Sequence, residues 1–124
     1  IYQQFLNVRF VISNCGNEPW AWDPTLKKIE VYNKDNVFLG SVILDLHPRE
    51  NKYTHACACP LVATFNNAQN GYNPLSCCII ANFTAAHENH DSLLSFNEVN
   101  VFFHEFGHIM HYILVYTLKF ILIF

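Results

Sequence analysis

The spacing of apolar and polar positions predicts short strands along most of the chain and one long helix near its end. Strands are predicted over residues 8–13, 28–32, 37–46, 53–59 and 76–83. Residues 1–6 fit the end of a helix, and Asn33 to Asn36 fit a four-residue hairpin turn. Pro60 is expected to end the fourth strand. The polar segments 14–24, 66–74 and 84–95 are expected to be loops.

The long helix has a recognisable start. Ser95 is followed three residues later by Glu98, which is the spacing of a capping box. Apolar positions at helical spacing follow it, at Val99, Phe102 and Phe106. With strands first and one helix last, we expect an α+β fold, in which a small, mainly antiparallel sheet packs on a long C-terminal helix.

Composition narrows the class of protein. The chain has 124 residues, enough for one domain. Apolar residues make up 52% and charged residues only 14%, whereas about 25% is usual for charged residues. This composition argues against disorder and indicates a surface that something else normally covers. The seven Lys and Arg residues are scattered and the net charge is −3, so no nucleic-acid partner is expected. Since the chain begins with Ile1, we expect a processed product or a piece of a longer protein.

The five cysteines form a poor disulfide framework, because their number is odd and four of them are adjacent or one apart. Cys57 and Cys59 would point to the same face of one strand and could bind a metal. We favour the alternative, in which the cysteines are small buried hydrophobes in a reducing compartment.

The segment from His104 to His108 has the pattern His-Glu-x-x-His and lies inside the predicted helix. Residues four apart lie on one helix face, so both imidazoles can bind one Zn²⁺, and the carboxylate of Glu105 can act as a general base. The alternative is a pair of helix-face histidines that are hydrogen-bonded in a packed core. His111 lies about 10 Å further along the helix than His104 and is not expected to be a third ligand.

The segment from Phe103 to His111 resembles the zinc helix of the thimet oligopeptidase and neurolysin family of metallopeptidases. A second segment, LDLHPRENKYTHA from Leu44 to Ala56, resembles that family's LDLYPREGKYGHA motif. The similarity covers roughly residues 18–111. The resemblance implies that the chain is a piece of a mainly helical metallopeptidase domain.

The resemblance also assigns roles to individual residues. It implies that His104 and His108 are the first two zinc ligands and that Glu105 is the catalytic base. It implies that His55, Ala56 and Cys57 lie in a segment flanking the active-site cleft, where an edge strand binds extended substrate backbone. An ordinary sheet strand is the alternative for that segment.

The chain departs from the family pattern at several positions. Asn51 stands where the family has a glycine that we expect in a turn, and asparagine tolerates positive φ. Family members take a third zinc ligand from a glutamate on a following helix, whereas no Asp or Glu follows Glu105 here. Residues 113–124 form an apolar tail that is too short for a membrane-spanning helix, and Lys119 lies within it. We expect a truncated or misread end in preference to a membrane-associated tail.

Residues 1–124 are therefore expected to be a partial metallopeptidase catalytic domain with Zn²⁺ as cofactor. The expected activity is hydrolysis of internal bonds in short peptides. The expected partners are those peptides and the rest of the parent chain, with no membrane partner. The expected location is cytoplasmic, with mitochondrial as the alternative. Two rival interpretations are a non-catalytic remnant and a membrane-associated interaction protein with a vestigial metal site.

Overall fold

The computed structural model describes residues 1–63, 65–67, 71–85 and 93–121. Two helices and seven strands lie within these ranges. They are α1 Tyr2–Leu6, β1 Val8–Asn14, β2 Lys27–Asn33, β3 Phe38–Asp45, β4 Cys57–Val62, β5 Phe65–Asn67, β6 Gly71–Asn73, β7 Leu75–Ile80 and α2 Phe96–Ile121. The predicted α+β class is confirmed.

The main sheet has five strands in the order β1-β2-β3-β7-β4. Its pairings are antiparallel, as predicted, except that β7 runs parallel to β3. The predicted hairpin between β2 and β3 is confirmed. The side chain of Asn33 accepts hydrogen bonds from the backbone N–H groups of Asp35 and Val37, and Asn36 has a φ of 60°.

The prediction for the fourth strand is wrong at both ends. The strand begins at Cys57 rather than at residue 53, so His55 and Ala56 lie in the connection before it. It also continues through Pro60, with a register shift between Pro60 and Val62. Because β4 is an edge strand of the sheet, a missing proline N–H need not cost a ladder hydrogen bond.

The predicted loop over residues 66–74 is also wrong. Phe65 pairs with Asn73, Asn66 with Tyr72 and Asn67 with Gly71 in a separate two-stranded ladder. Backbone hydrogen bonds form this ladder, so it leaves little trace in the pattern of apolar side chains. The predicted loop over 84–95 lies partly outside the described residues.

Helix α2 begins as predicted. The N–H of Ser95 donates to Oε2 of Glu98 at 2.7 Å, and the N–H of Glu98 donates to Oγ of Ser95 at 3.3 Å. The helix continues to Ile121, into the segment singled out as an apolar tail; residues 122–124 of that tail lie outside the described residues. Within the described part of the chain, no helix combines the length and the hydropathy that a membrane crossing requires.

Most of the core lies between α2 and one face of the sheet. Four buried residues of α2, Phe106, Ile109, Met110 and Ile113, meet apolar residues of β1, β2, β3 and β7 there. Full burial of one such side chain stabilises the fold by roughly 1.5–3 kcal/mol. A smaller cluster lies on the opposite face, where Cys15, Leu26, Ile43 and Cys78 are buried. The helix therefore covers one face of the sheet, and the segment before β2 contributes to the cover of the other.

An ion-paired cluster lies at the end of β3. Asp45 is 2% exposed and accepts hydrogen bonds from Arg49, at 2.7 and 2.9 Å, and from Nε1 of Trp22, at 2.9 Å. Nζ of Lys52 lies 2.8 Å from Oδ1 of the same carboxylate. Burial by itself raises the pKa of Asp45, but the bonds from Arg49, Lys52 and Trp22 outweigh it and lower the pKa to about 2.

We expect this cluster to make the fold sensitive to acid. Because the pKa of Asp45 is lower in the folded chain than its ordinary value of 3.8, its ionised form contributes roughly 2 kcal/mol to the free energy of unfolding at neutral pH. That contribution is present above pH ~4 and is lost as the pH falls toward 2. Urea unfolding of the wild type and of Asp45→Asn between pH 2 and pH 7 tests this. Equal pH dependence in the two proteins would contradict it.

Candidate metal and catalytic site

The packing of α2 directs its two motif histidines away from the sheet. Successive helix residues are rotated by about 100°, so residues 104 and 108 lie opposite the stripe that includes Phe106 and Ile109. His104 and His108 are accordingly exposed, while Phe106 is 4% and Ile109 0% exposed. The alternative of a packed core around the two histidines does not agree with this exposure, although the two rings are within hydrogen-bonding distance of each other, as that alternative expected.

The two imidazoles converge on one point. Their Nε2 atoms are 3.1 Å apart, and the rings are nearly perpendicular, with centroids separated by 4.7 Å. Two nitrogens bound tetrahedrally to one Zn²⁺, each at 2.0–2.1 Å, would be separated by about 3.3 Å. The donor pair thus fits a single zinc ion with a small ring adjustment.

Glu105 lies beside this pair at the edge of a cavity of about 260 Å³. The cavity is also lined by His104, Val101, Asn97 and Asn100. Glu105 is half-buried, so its carboxylate borders the cavity and is still accessible to solvent. The two asparagines were not singled out from the sequence. Their spacing of seven and four residues before His104 is the signal that places them on the same part of the helix.

Tyr2 of α1 contacts the turn that carries His104, and this contact could not be predicted from the sequence. Its hydroxyl donates to the carbonyl of Phe103 at 3.0 Å, and its ring stacks on Phe103 with a centroid distance of 5.9 Å. A Cβ atom at Gly107 would lie 3.2 Å from the Tyr2 hydroxyl. The glycine between the two histidines therefore allows α1 to approach α2 closely.

Within the described residues, His104 and His108 are the two side chains brought together as possible metal ligands, and no third one joins them. Among the residues that the structure describes, no group of three or more His, Cys, Asp or Glu side chains could hold a metal ion. His111 is exposed, and its ring contacts Tyr112. Cys59 packs with Cys78 on the sheet face opposite α2. Burial raises the pKa of Cys59 and raises that of Cys78 to about 12, which favours the protonated thiols.

The three residues expected near a substrate lie at the entry of β4. Cys57 is the first residue of that edge strand, and it is opposite Ile80 of β7. Ala56 precedes the strand, and the ring of His55 contacts the ring of Tyr53 at 5.6 Å. Ala58 packs against the core between the sheet and α2, so β4 contributes to the face of the sheet that α2 covers.

Comparison with known proteins places these features in a family. The sequence profile of peptidase family M3 matches residues 1–118. The chain is 36% identical over 115 residues to the thimet-like oligopeptidase of Dictyostelium discoideum and 33% identical over 117 residues to saccharolysin of Saccharomyces cerevisiae. It is 30% identical over 97 residues to the mitochondrial intermediate peptidase of Arabidopsis thaliana.

These alignments cover most of this chain and little of the relatives. They include 89%, 90% and 78% of the chain but only 16%, 16% and 14% of the three relatives, in the same order. The chain therefore spans about one-sixth of the length of the proteins it matches.

Proposed function

This chain belongs to peptidase family M3, and we propose that it is part of the catalytic domain of a zinc-dependent metalloendopeptidase acting on internal bonds of short peptides. The observation that carries the proposal is the pair of Nε2 atoms of His104 and His108, 3.1 Å apart on an exposed helix face, with Glu105 beside them. Because the chain spans about one-sixth of its relatives, the activity is proposed for a larger protein that contains it.

Each residue of the motif has a distinct role in this proposal. His104 and His108 would hold Zn²⁺ through their Nε2 atoms. Zinc bound there supplies a Lewis acid that polarises the scissile carbonyl and acidifies water. Glu105 accepts the proton of the attacking water and later donates it to the nitrogen of the leaving amine. Asn97 and Asn100 line the same cavity as Glu105, and their side chains offer it uncharged hydrogen-bonding groups.

The substrate is proposed to lie along the entry of β4. An edge strand has one row of backbone N–H and C=O groups that no neighbouring strand uses, and an extended peptide can pair with them. We assign His55, Ala56 and Cys57 to this contact because they lead into the edge strand.

The location is proposed to be cytoplasmic, with mitochondrial as the alternative. All five cysteines are free thiols, which is typical of a reducing compartment. Three of the similar proteins are named as mitochondrial intermediate peptidases, which supports the alternative.

The first test of this function replaces the proposed base. In the complete peptidase, Glu105→Gln should retain zinc and lose activity by roughly 10²–10⁴-fold, because a general base is removed while both ligands remain. Peptide cleavage and zinc content are measured together. Glu98→Gln on the same helix is the matched control and should retain activity. Parallel loss of zinc and activity in Glu105→Gln would contradict the assigned role. If the protein is instead a non-catalytic remnant, Glu105→Gln should have no effect on peptide cleavage.

The second test concerns the 124-residue chain itself. A catalytic zinc site has three protein ligands, so the two nitrogens here should bind zinc weakly and support negligible peptide cleavage. Zinc retained after dialysis is measured, together with cleavage of a quenched fluorescent peptide with and without a chelator. His104→Asn and His108→Asn should abolish the weak binding, whereas His111→Asn should not. Tight, stoichiometric zinc with chelator-sensitive cleavage would contradict this prediction and would require a third ligand within the chain.

The third test addresses the proposed substrate contact. His55 is exposed, so His55→Ala should leave stability unchanged. In the complete peptidase it should raise KM for several peptides without altering zinc content, because the substitution keeps the backbone groups of residue 55 and removes the contact that the imidazole is proposed to make with the bound peptide beside them. His111→Ala removes another exposed histidine and serves as the control. An unchanged KM in His55→Ala would exclude this side chain from the substrate site.

A further inference from the structure

The connection between β3 and β4 has to cross the end of another strand. In the sheet, β7 lies between them, parallel to β3 and antiparallel to β4. Asp45, the last residue of β3, is opposite Ile80, and Ile80 is also opposite Cys57, the first residue of β4. Residues 46–56 therefore pass over the carboxyl end of β7 before β4 begins.

A single buried ammonium group joins the three parts of the chain that meet at this crossing. Nζ of Lys52 donates to the carbonyl oxygen of Asp45 at 3.0 Å, to that of His47 at 2.6 Å and to that of Ala81 at 2.6 Å. These carbonyls belong to the end of β3, to the connection itself and to the chain just after β7. The side chain of Lys52 is 3% exposed. A charge with so little contact with water has to be held by such partners.

The carboxylate of Asp45 completes the cluster. It lies 2.8 Å from Nζ of Lys52 and accepts two hydrogen bonds from Arg49, which is also in the connection. Another hydrogen bond also joins the connection to the chain after β7: the side-chain amide of Asn82 donates to the carbonyl of Tyr53 at 2.9 Å. The turn before Lys52 has Asn51 at a φ of 61°. The whole path from β3 toward β4 is thus attached to the end of β7.

We propose that Lys52 and Asp45 are positioning residues that hold the crossing segment 46–56 and thereby determine where the edge strand β4 begins. An edge strand is paired on one side only, by β7 here, so the segment that precedes it contributes strongly to its placement. The proposal has two parts: an anchoring part, in which Lys52 and Asp45 hold segment 46–56, and a substrate part, in which this placement affects peptide binding. The substrate part rests on the proposed function, in which the entry of β4 binds the peptide.

Hydrogen exchange of the 124-residue chain tests the anchoring part. In Lys52→Met, amide exchange over residues 46–62 should accelerate by at least about tenfold relative to β1 and β2, because three carbonyl oxygens and a buried carboxylate lose a charged partner. Lys28→Met removes a lysine whose ion pair with Glu30 is partly exposed, and as the matched control it should leave residues 46–62 unchanged.

A milder variant keeps the test decisive if Lys52→Met does not fold. Asp45→Asn retains Lys52 and its carbonyl bonds. It lowers the free energy of unfolding and so accelerates exchange in every strand, and over residues 46–62 it should add a further acceleration relative to β1 and β2 that is smaller than in Lys52→Met. Uniform acceleration in all strands would overturn the proposal, because it would show a contribution to global stability only. Unchanged exchange over residues 46–62 would overturn it as well.

Kinetics in the complete peptidase test the substrate part. Asp45→Asn should raise KM by roughly ten- to a hundredfold, since a misplaced binding segment weakens productive binding, while kcat and zinc content change little. Val31→Ala in the core of β2 destabilises the fold by a cavity and should leave KM unchanged. Equal KM in the wild type and Asp45→Asn would overturn the positioning role. An inactive wild type would refute the proposed function and the substrate part with it, and the exchange data would still decide the anchoring part.

Discussion

The packing of α2 against one face of the sheet is the interaction on which the rest of the molecule depends. Phe106, Ile109, Met110 and Ile113 are almost fully buried there. Because a helix is rigid, burying this stripe leaves no freedom over the direction of the opposite stripe, which carries the histidines. The apolar core and the candidate site are therefore two faces of one helix, and a change that rotates the helix alters both.

The parts of the structure that depend on neighbours in sequence could be predicted from the sequence. The capping box at Ser95, the hairpin at Asn33 and the convergence of His104 and His108 each involve residues within four positions of one another. The resemblance to a family also placed Asn51 correctly in a turn with positive φ. Local spacing determines local geometry, and for these features no knowledge of the remaining fold is needed.

The parts that depend on distant pairing could not be predicted in the same way. Nothing in the spacing of apolar residues indicates that β7 inserts between β3 and β4, because strand order follows from contacts between residues far apart in sequence. That insertion explains why residues 53–56 form a crossing rather than a strand. It also explains why Lys52 is buried. Where the chain crosses the end of a strand, several backbone carbonyl oxygens point toward one position, and one ammonium group there can donate a hydrogen bond to each of them.

The same distinction between local and distant contacts applies to the proposed site, which needs the motif on α2 and also groups from outside that helix. The two proposed ligands and the proposed base lie within five residues of one helix and need only that helix to be arranged, so their geometry is present in 124 residues. A third ligand and an enclosing wall must come from other elements, and the affinity for metal and the exclusion of water depend on them. Under the proposed function, the motif in α2 therefore specifies the kind of chemistry, while contacts made across its exposed face decide whether that chemistry takes place.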